Sequence, residues 1–358
     1  MLLKKMKLKK KISILITCVG GELSPTSIKF LKKNPNYNIK VVGTDLNNNA
    51  IGKYFCDKFY KVPKSSSKNY VKNILKIATK NKINIIIPTS DEETLALSKK
   101  KEVFEKKKIY LLSSNYQTLK IFSNKEETYK TLSKLGIDKI RFDSIKNKKL
   151  FMSFFKKKRN NLVVKPAVSR GGRGIFIIKN IKKEKAVNFG REVHLNIKTF
   201  KKKYLSRIKI FPQIISEIYE PPVYDLDVLS YKGDLKKIIL RKRIISEEPN
   251  SGHEFCNVPK NLVSKIKALC KKLKLNALHD VDLMKNKDGE FKILEVNPRP
   301  SGSVAVTCVA GINLFRDVIK MYLNMKIKKQ IGIKNKNIKI IPTKNLIKKN
   351  ISGRSATS

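Results

Sequence analysis

The chain reads as an α/β domain built on a parallel sheet, followed by a mixed α+β region, and three observations point there. Over residues 12–112, short apolar strands alternate with helical patterns. From Ser123 that rhythm gives way to strands joined through glycine turns. Near the C-terminus, two strands carry alternating acidic residues across a short polar link.

Ile12–Val19 is the first expected strand, and Ser24-Pro25 opens a helix over Ser24–Lys33 in cap and N1 positions. Ile39–Gly43 is the second strand, running out to Asp45. A helix over Lys68–Asn81, a strand over Ile83–Pro88, a helix over Asp91–Lys101 and a strand over Ile109–Leu112 complete a Rossmann-like pattern. Gly20-Gly21 with Asp45 is only faintly similar to a dinucleotide fingerprint, because G-x-G-x-x-G is absent. A scaffold domain without its own NAD is expected.

Next comes a helix over Asn124–Leu135, carrying Lys125 in its first turn and stopped by Gly136. Leu162–Ile178 reads as strand, glycine loop, strand, whereas a Walker loop needs G-x-x-x-x-G-K-[ST] opening a helix. Gly171, Gly172 and Gly174 can take positive φ and expose N–H groups, while Arg170 and Arg173 add charge. Such a flap suits a polyphosphate; an ordinary hairpin turn is the competing reading. Ile214–Val228 reads as two strands joined at Glu220-Pro221-Pro222, and Leu226–Leu229 with Lys237–Arg243 as a hairpin around Lys232-Gly233-Asp234. Amphipathic helices are expected over Asn261–Lys274 and Asn313–Leu323, and the Lys-, Asn- and Ile-rich tail from Lys326 is expected to be poorly ordered.

Between those two helices lies the segment richest in chemistry. Period-two alternation puts Asp280 and Asp282 on one face of Leu278–Met284, and Glu295 and Asn297 on one face of Phe291–Asn297. A two-residue turn at Asp288-Gly289 would pair Lys287 with Glu290, Asp282 with Glu295 and Asp280 with Asn297. Like charges opposite each other destabilise a ladder, so this register calls for a cation. Oxygen donors without a His or Cys cluster suggest Mg²⁺ bound together with substrate phosphates. A solvated acidic face is the bland alternative.

Composition bounds the rest. At 358 residues and 41% hydrophobic content, two or three folded domains are expected, and no apolar run is long enough to span a bilayer. Basic Met1–Lys11 ahead of Ile12–Val19 mimics a signal peptide, but Ser13, Thr17 and the following Gly20-Gly21 fit a first strand better. A cytoplasmic location is expected. The five cysteines (18, 56, 256, 270, 308) are scattered without a C-x-x-C pair, which argues against a disulfide framework or zinc. Cys18 and Cys308 sit in small apolar surroundings and read as core filler. The histidines (194, 253, 279) are too far apart to read as a cluster. The net charge of +52 invites a nucleic-acid partner, yet the lysines are spread through almost every segment. Lys, Asn and Ile share A/T-rich codons, so compositional drift suffices. Only weak, non-specific attraction to polyanions at low salt is expected.

With these residues in hand, the chain resembles the ATP-grasp superfamily. It is most similar to single-module members like half of a carbamoyl phosphate synthase large subunit. The resemblance runs from about Lys11 to Leu323 and rests on an ordered set: Asn124-Lys125, Val164-Lys165-Pro166 with its glycine loop, Ser216–Tyr219 and Leu294–Arg299. It implies a Rossmann-like pre-ATP-grasp domain (1–120), a two-lobed ATP-grasp domain (121–325) and a basic tail (326–358). The lobes would divide at 213/214, the flap in the first and the metal site in the second. Lys125 and Lys165 would contact the ATP phosphates, with Ser169, Arg170, Gly171, Gly172 and Gly174 folding over them. Glu217, Ile218 and Tyr219 would form the adenine hinge. Asp282, Glu295 and Asn297 would hold Mg²⁺, or Mn²⁺ in its place. Arg299 would sit beside the transferred phosphoryl group, and Ser301 and Ser303 beside the acyl site. Arg241 and Arg243 are candidates for a substrate carboxylate, since a guanidinium fork binds carboxylates bidentately. Where the family carries a Glu for the ribose hydroxyls this chain has Val223, which leaves Glu220 or Asp225 to replace it.

The implied activity is an ATP-dependent ligase that activates a carboxylate as an acyl phosphate and joins it to an amine. Small carboxylates and amines are its expected partners, with a homodimer as the base-rate assembly. A carboxylase or carbamoyl phosphate synthase-like enzyme making carboxyphosphate is the alternative, although one module is too little for the full synthase reaction. A nucleotide- or polyanion-binding accessory protein is the non-enzymatic alternative, motivated by the charge and by Val223.

Overall fold

Three sheets follow one another along the chain. The computed structural model describes residues 9–156, 161–169, 171–181, 186–246, 248, 250–334 and 337–343. The first sheet comprises β1 (Lys10–Ile16), β2 (Tyr37–Asp45), β3 (Lys58–Lys61), β4 (Ile85–Ile87) and β5 (Tyr110–Leu111). Its strands are parallel in the order β3-β2-β1-β4-β5. Helices α1 (Ser24–Lys32), α2 (Tyr70–Lys80), α3 (Asp91–Ser98) and α4 (Lys101–Glu105) intervene. Ile12, Ile14 and Ile16 enter one core and Leu15, Val42 and Ile86 another. With both faces covered, β1 and β4 read as unbroken apolar runs. β3 escaped the sequence reading because it is a lysine-flanked edge strand, fully buried at none of its residues. Strand order reverses between β1 and β4, so their carboxyl ends open onto a crevice of the kind where α/β sheets bind ligands.

Helices α5 (Tyr116–Phe122) and α6 (Lys125–Lys134) lead into the second sheet. It contains β6 (Phe142–Ile145), β7 (Leu162–Pro166), β8 (Phe176–Ile178), β9 (Val187–Phe189), β10 (Glu192–Leu195) and β11 (Gln213–Glu217) in the order β6-β11-β7-β8-β10-β9. α7 (Lys148–Phe154) and α8 (Ile197–Lys203) cover it with Phe151, Phe155 and Phe200.

The third sheet holds β12 (Glu220–Tyr231), β13 (Asp234–Arg243), β14 (His253–Cys256), β15 (Ala277–Lys285), β16 (Phe291–Asn297), β17 (Gln330–Ile331) and β18 (Lys339–Ile340). Its path is β16-β15-β12-β13-β14-β18, with β17 beside β13. β12 starts at Glu220, so the break from β11 falls at residues 218–219 rather than at the Glu220-Pro221-Pro222 step expected. Lys232-Gly233 makes the tight turn to β13, both residues at positive φ (52° and 79°).

One face of this sheet, with Leu226, Val228, Leu240, Val281 and Leu283, packs on α9 (Lys260–Lys272). Leu229, Ile239 and Leu278 on the opposite face join α10 (Val304–Val309), α11 (Leu314–Tyr322) and the first sheet in one continuous core. The expected disorder from Lys326 is corrected for residues up to 343. Ile327 is buried, Gly332 N–H donates to the Ile238 carbonyl at 2.8 Å, and β18 pairs with β14. The lysine-rich composition concealed isoleucines that the sheet takes in; residues 344–358 lie outside the described ones. Among the described residues no helix is long and apolar enough to cross a membrane.

Candidate active site

The acidic hairpin forms with Asp280 opposite Asn297 and Asp282 opposite Glu295. It reaches that register by another route than the two-residue turn expected. The Asn286 side chain accepts from Asp288 N and Glu290 N, and Asn286 N donates to the Glu290 carbonyl at 3.0 Å. Lys287-Asp288-Gly289 is therefore a three-residue loop with Gly289 at φ 77°. Taken alone it would shift the pairing by one residue. A β-bulge restores it: Leu283 pairs with Ile293 and Asp282 with Glu295, so Leu294 is the extra residue. Strict alternation along β16 consequently breaks. Phe291, Ile293 and Val296 enter the apolar core, while Glu295 and Asn297 take the other face.

That other face is continuous with β12 and β13. Asp225 lies opposite both Arg241 and Asp282, and Asp227 lies opposite Asp280. Arg241 is 0% exposed; it bonds Asp227 at 3.0 Å and Ser303 Oγ at 2.9 Å. Arg243 bonds Asp225 at 2.5–3.1 Å and Asp282 at 3.0 Å. His253 Nε2 meets Asp225 Oδ2 at 2.6 Å. Burial opposes the charge on Asp225, but the Arg243 guanidinium outweighs it and holds the carboxyl well below its ordinary value. Neither arginine therefore presents a free fork to a substrate, and Asp225 is enclosed rather than offered to a ribose. One ligand oxygen each of Asp225, Asp280 and Asp282 lies within 4.8 Å of the others. The Arg243 guanidinium already serves two of these three carboxylates as a cation.

In the set expected for Mg²⁺, Asp282, Glu295 and Asn297, two members also meet a cation: Arg243 bonds Asp282 and Lys125 bonds Glu295. Glu295 and Asp282 keep side-chain exposures of 21% and 23%. Asn297 Nδ2 donates to Asp280 Oδ2 at 3.2 Å, which leaves its side-chain carbonyl oxygen to serve as an acceptor. All three are hard oxygen donors.

The second sheet brings the lysines. Asn124 caps α6 by accepting from Glu126 N at 2.9 Å, and Lys125 N donates to the Ala167 carbonyl at 2.8 Å. A lysine in the first turn opposes the helix dipole; Glu126 and Glu127 offset it. Glu126 is buried and receives Lys130, Lys146 and Ser144. Burial raises its pKa, but those donors outweigh it and bring it down to about 2. Lys125 Nζ then reaches the Ser169 carbonyl at 2.8 Å and Glu295 Oε1 at 3.2 Å. Lys165 Nζ donates to the Tyr129 hydroxyl at 2.8 Å, and burial lowers its pKa against the pull of Glu295, Glu192 and Asp282.

β7 and β8 pair as the expected hairpin, and Gly171, Gly172 and Gly174 have φ of 56°, 71° and 74°. A Cβ on Gly171 would come within 2.9 Å of the mobile tip of Arg191, so it is the positive φ that favours glycine here. Arg170 lies outside the described residues. At the hinge, Tyr219 donates to Glu217 Oε1 at 3.1 Å, Ile218 is partly buried and Glu217 is exposed. Val223 N donates to Ser246 Oγ, and exposed Glu220 pairs with Lys179 at 3.5 Å.

Arg299 spans two units of the fold. Its Nη1 bonds Asp280 Oδ2 at 3.0 Å, and its Nε pairs at 3.1 Å with Asp91, the first residue of α3, which follows β4. Ser301 and Ser303 share a hydroxyl bond of 2.9 Å and are buried. Among the described residues Asp280 Oδ1 has no hydrogen-bond partner, and burial raises the Asp280 pKa to about 6. Asp91, Tyr129, Asp138 and Asp227 were not singled out from the sequence, which offered Asp225 only for the ribose and Asp280 only as part of the acidic hairpin. Asp225-Leu226-Asp227 repeats the D-x-D spacing of Asp280-Val281-Asp282, a signal that would have marked β12 as the neighbouring strand. Tyr129, one helical turn beyond Lys125, was within reach of the same periodicity.

Comparison with known proteins follows this geometry. Residues 14–112 match the family described as PylC-like, N-terminal domain, and residues 210–345 the family described as ATP-grasp in the biosynthetic pathway with Ter operon. No curated protein matches the chain. Among solved structures, N5-carboxyaminoimidazole synthetase from Staphylococcus aureus complexed with ADP is similar at 14% identity and TM-score 0.65, over 91% of this chain and 80% of that one. The L-amino acid ligase from Bacillus licheniformis gives 14% and 0.64, over 88% and 75%. Biotin carboxylase from Campylobacter jejuni, as a β-γ-ATP complex, gives 15% and 0.63, over 88% and 72%. At such identities the likeness speaks for the fold. With it, the two matches give the chain an ATP-grasp fold that carries a PylC-like N-terminal domain at residues 14–112 and an ATP-grasp match at residues 210–345.

Proposed function

We propose that this protein is an ATP-dependent ligase that activates a carboxylate as an acyl phosphate and joins it to an amine. The observation that carries this is the contact of Lys125 with Glu295 across 3.2 Å, which brings the proposed phosphate-binding lysine of α6 to the proposed metal carboxylate of β16. Lys125 and Lys165 bind the triphosphate, the loop around Gly171 and Gly172 covers it, and residues 217–219 hold the adenine edge. Asp282, Glu295 and Asn297 would hold Mg²⁺, which when bound neutralises charge on the phosphates.

An oxygen of the substrate carboxylate forms a bond to the γ-phosphorus while the bond to the bridging oxygen breaks and ADP leaves. Arg299, oriented by Asp91 and Asp280, stabilises the resulting acyl phosphate. The amine nitrogen then bonds to the acyl carbon, loses its proton, and inorganic phosphate departs with the former C–O electron pair. Alignment and preorganised charge supply the rate, and no side-chain nucleophile is required. An ATP-using enzyme whose five cysteines are scattered without a C-x-x-C pair fits the cytoplasm.

The test is ADP formation across a panel of small acids with amines, and with bicarbonate as a separate arm. ADP that depends on both acid and amine supports the ligase. ADP that depends on bicarbonate moves the assignment to carboxyphosphate chemistry, and nucleotide binding without any acceptor-dependent ADP sinks the enzymatic reading. Glu295→Ala should abolish turnover while the fold stays intact, and near-normal ATP hydrolysis by that variant would contradict the metal assignment.

A further inference from the structure

We infer that Tyr129 is a positioning residue that ties the phosphate-binding Lys165 to the bulge carrying the metal ligand Glu295, an inference that rests on the ATP-dependent reaction proposed for this site. The Tyr129 hydroxyl accepts from Lys165 Nζ at 2.8 Å and donates to the Leu294 carbonyl at 2.8 Å. Lys165 belongs to β7 in the second sheet, and Leu294 is the extra residue of β16 in the third. The same helix presents Lys125 one turn earlier, in contact with Glu295 itself. One element thus touches both halves of the triphosphate site at three points.

The bulge explains why such a tether is needed. An extra residue leaves backbone groups out of the ladder, and buried ones must find other partners. Here Ile293 N–H goes to Asp138 Oδ2 at 2.7 Å, and the Leu294 carbonyl goes to Tyr129. Tyr129 is 1% exposed, and burial pushes its hydroxyl well above the usual phenol range, so it stays a neutral donor and takes no part as acid or nucleophile. Its ring lies 5.4 Å from Lys165 Nζ and meets Phe142 edge-on at 5.4 Å. Phenylalanine would fill the same space but strand a buried carbonyl and an ammonium. Two groups that must meet one triphosphate would then lose their fixed separation.

The experiment compares wild type, Tyr129→Phe and Phe142→Leu for the KM of Mg·ATP, kcat and unfolding midpoint. Tyr129→Phe is expected to raise KM about tenfold and lower kcat, the scale of one lost supporting hydrogen bond in a binding site. Phe142→Leu removes ring packing without touching Lys165 or Leu294, so it should lower the midpoint and leave KM in place. An unchanged KM in Tyr129→Phe overturns the inference, and so does an equal rise in both variants. A wild type that fails to bind Mg·ATP overturns the nucleotide reading and this inference with it. Should Tyr129→Phe not fold, wild-type protein labelled at tyrosine Cζ is titrated with Mg·ADP; the Tyr129 resonance must move, and a stationary signal overturns the tether.

Discussion

The first and third sheets handle burial in opposite ways. The parallel sheet covers both faces with isoleucine, leucine and valine, and its polar side-chain contacts serve the backbone, as where Asn84 accepts from Ser13 N and Asp57 from Val41 N. The third sheet gives one face to an apolar core and sets five carboxylates on the other, at Asp225, Asp227, Asp280, Asp282 and Glu295. Arg241, Arg243, Arg299 and Lys125 meet them within about hydrogen-bond distance, yet burial still holds Asp280 and Asp282 above the ordinary carboxyl value. A substitution in the first sheet should therefore read on stability alone, whereas one in the third should read on stability and chemistry together.

The sharpest way to break that contrast is Asp227→Ala. It strands Arg241 at zero exposure and should cost about 3–5 kcal/mol of unfolding free energy in denaturant titration. A loss under about 1 kcal/mol would mean that the guanidinium finds water or another partner, and the contrast between the sheets would fail. Ile86→Ala in β4 should cost about 2–4 kcal/mol through its cavity, yet leave the KM for Mg·ATP unchanged in the folded fraction. Movement of that KM would show the two sheets to be coupled.

Smaller effects test the seam between them. Asp91→Asn removes one of the two anions on Arg299 and should lower kcat about tenfold while the KM for Mg·ATP and the unfolding midpoint barely move. Loss of both parameters together would make Asp91 a structural rather than a positioning residue. Glu126 offers the smallest effect. Its carboxyl falls from an ordinary 4.5 to about 2 in the folded chain, so its stabilisation is whole above pH 4.5 and disappears as pH drops toward 2. Glu126→Gln should be less stable than wild type by on the order of 1–2 kcal/mol at pH 7, with the difference vanishing by about pH 2. A difference that stays constant with pH would assign Glu126 a packing role.

Local signals determined a good part of this molecule. Apolar runs marked β1, β2 and β4, the Asn124 cap marked the helix bearing Lys125, and period-two alternation paired Asp282 with Glu295. Those features arise from interactions over a few residues, where side-chain spacing and backbone sterics leave few options. The pairing itself came out right for a reason invisible in the sequence, since a longer loop and the Leu294 bulge offset each other. Only the tertiary structure decided that Arg241 and Arg243 are bound by Asp227, Asp225 and Asp282, that Asp91 reaches Arg299, and that Tyr129 joins Lys165 to Leu294. The Arg241–Asp227 and Arg243–Asp225 contacts cross the β12–β13 hairpin, and the others bridge elements remote in the chain. A charge or hydroxyl looks the same along the sequence whether it meets water, substrate or a buried partner, and burial in the packed fold is what tells them apart.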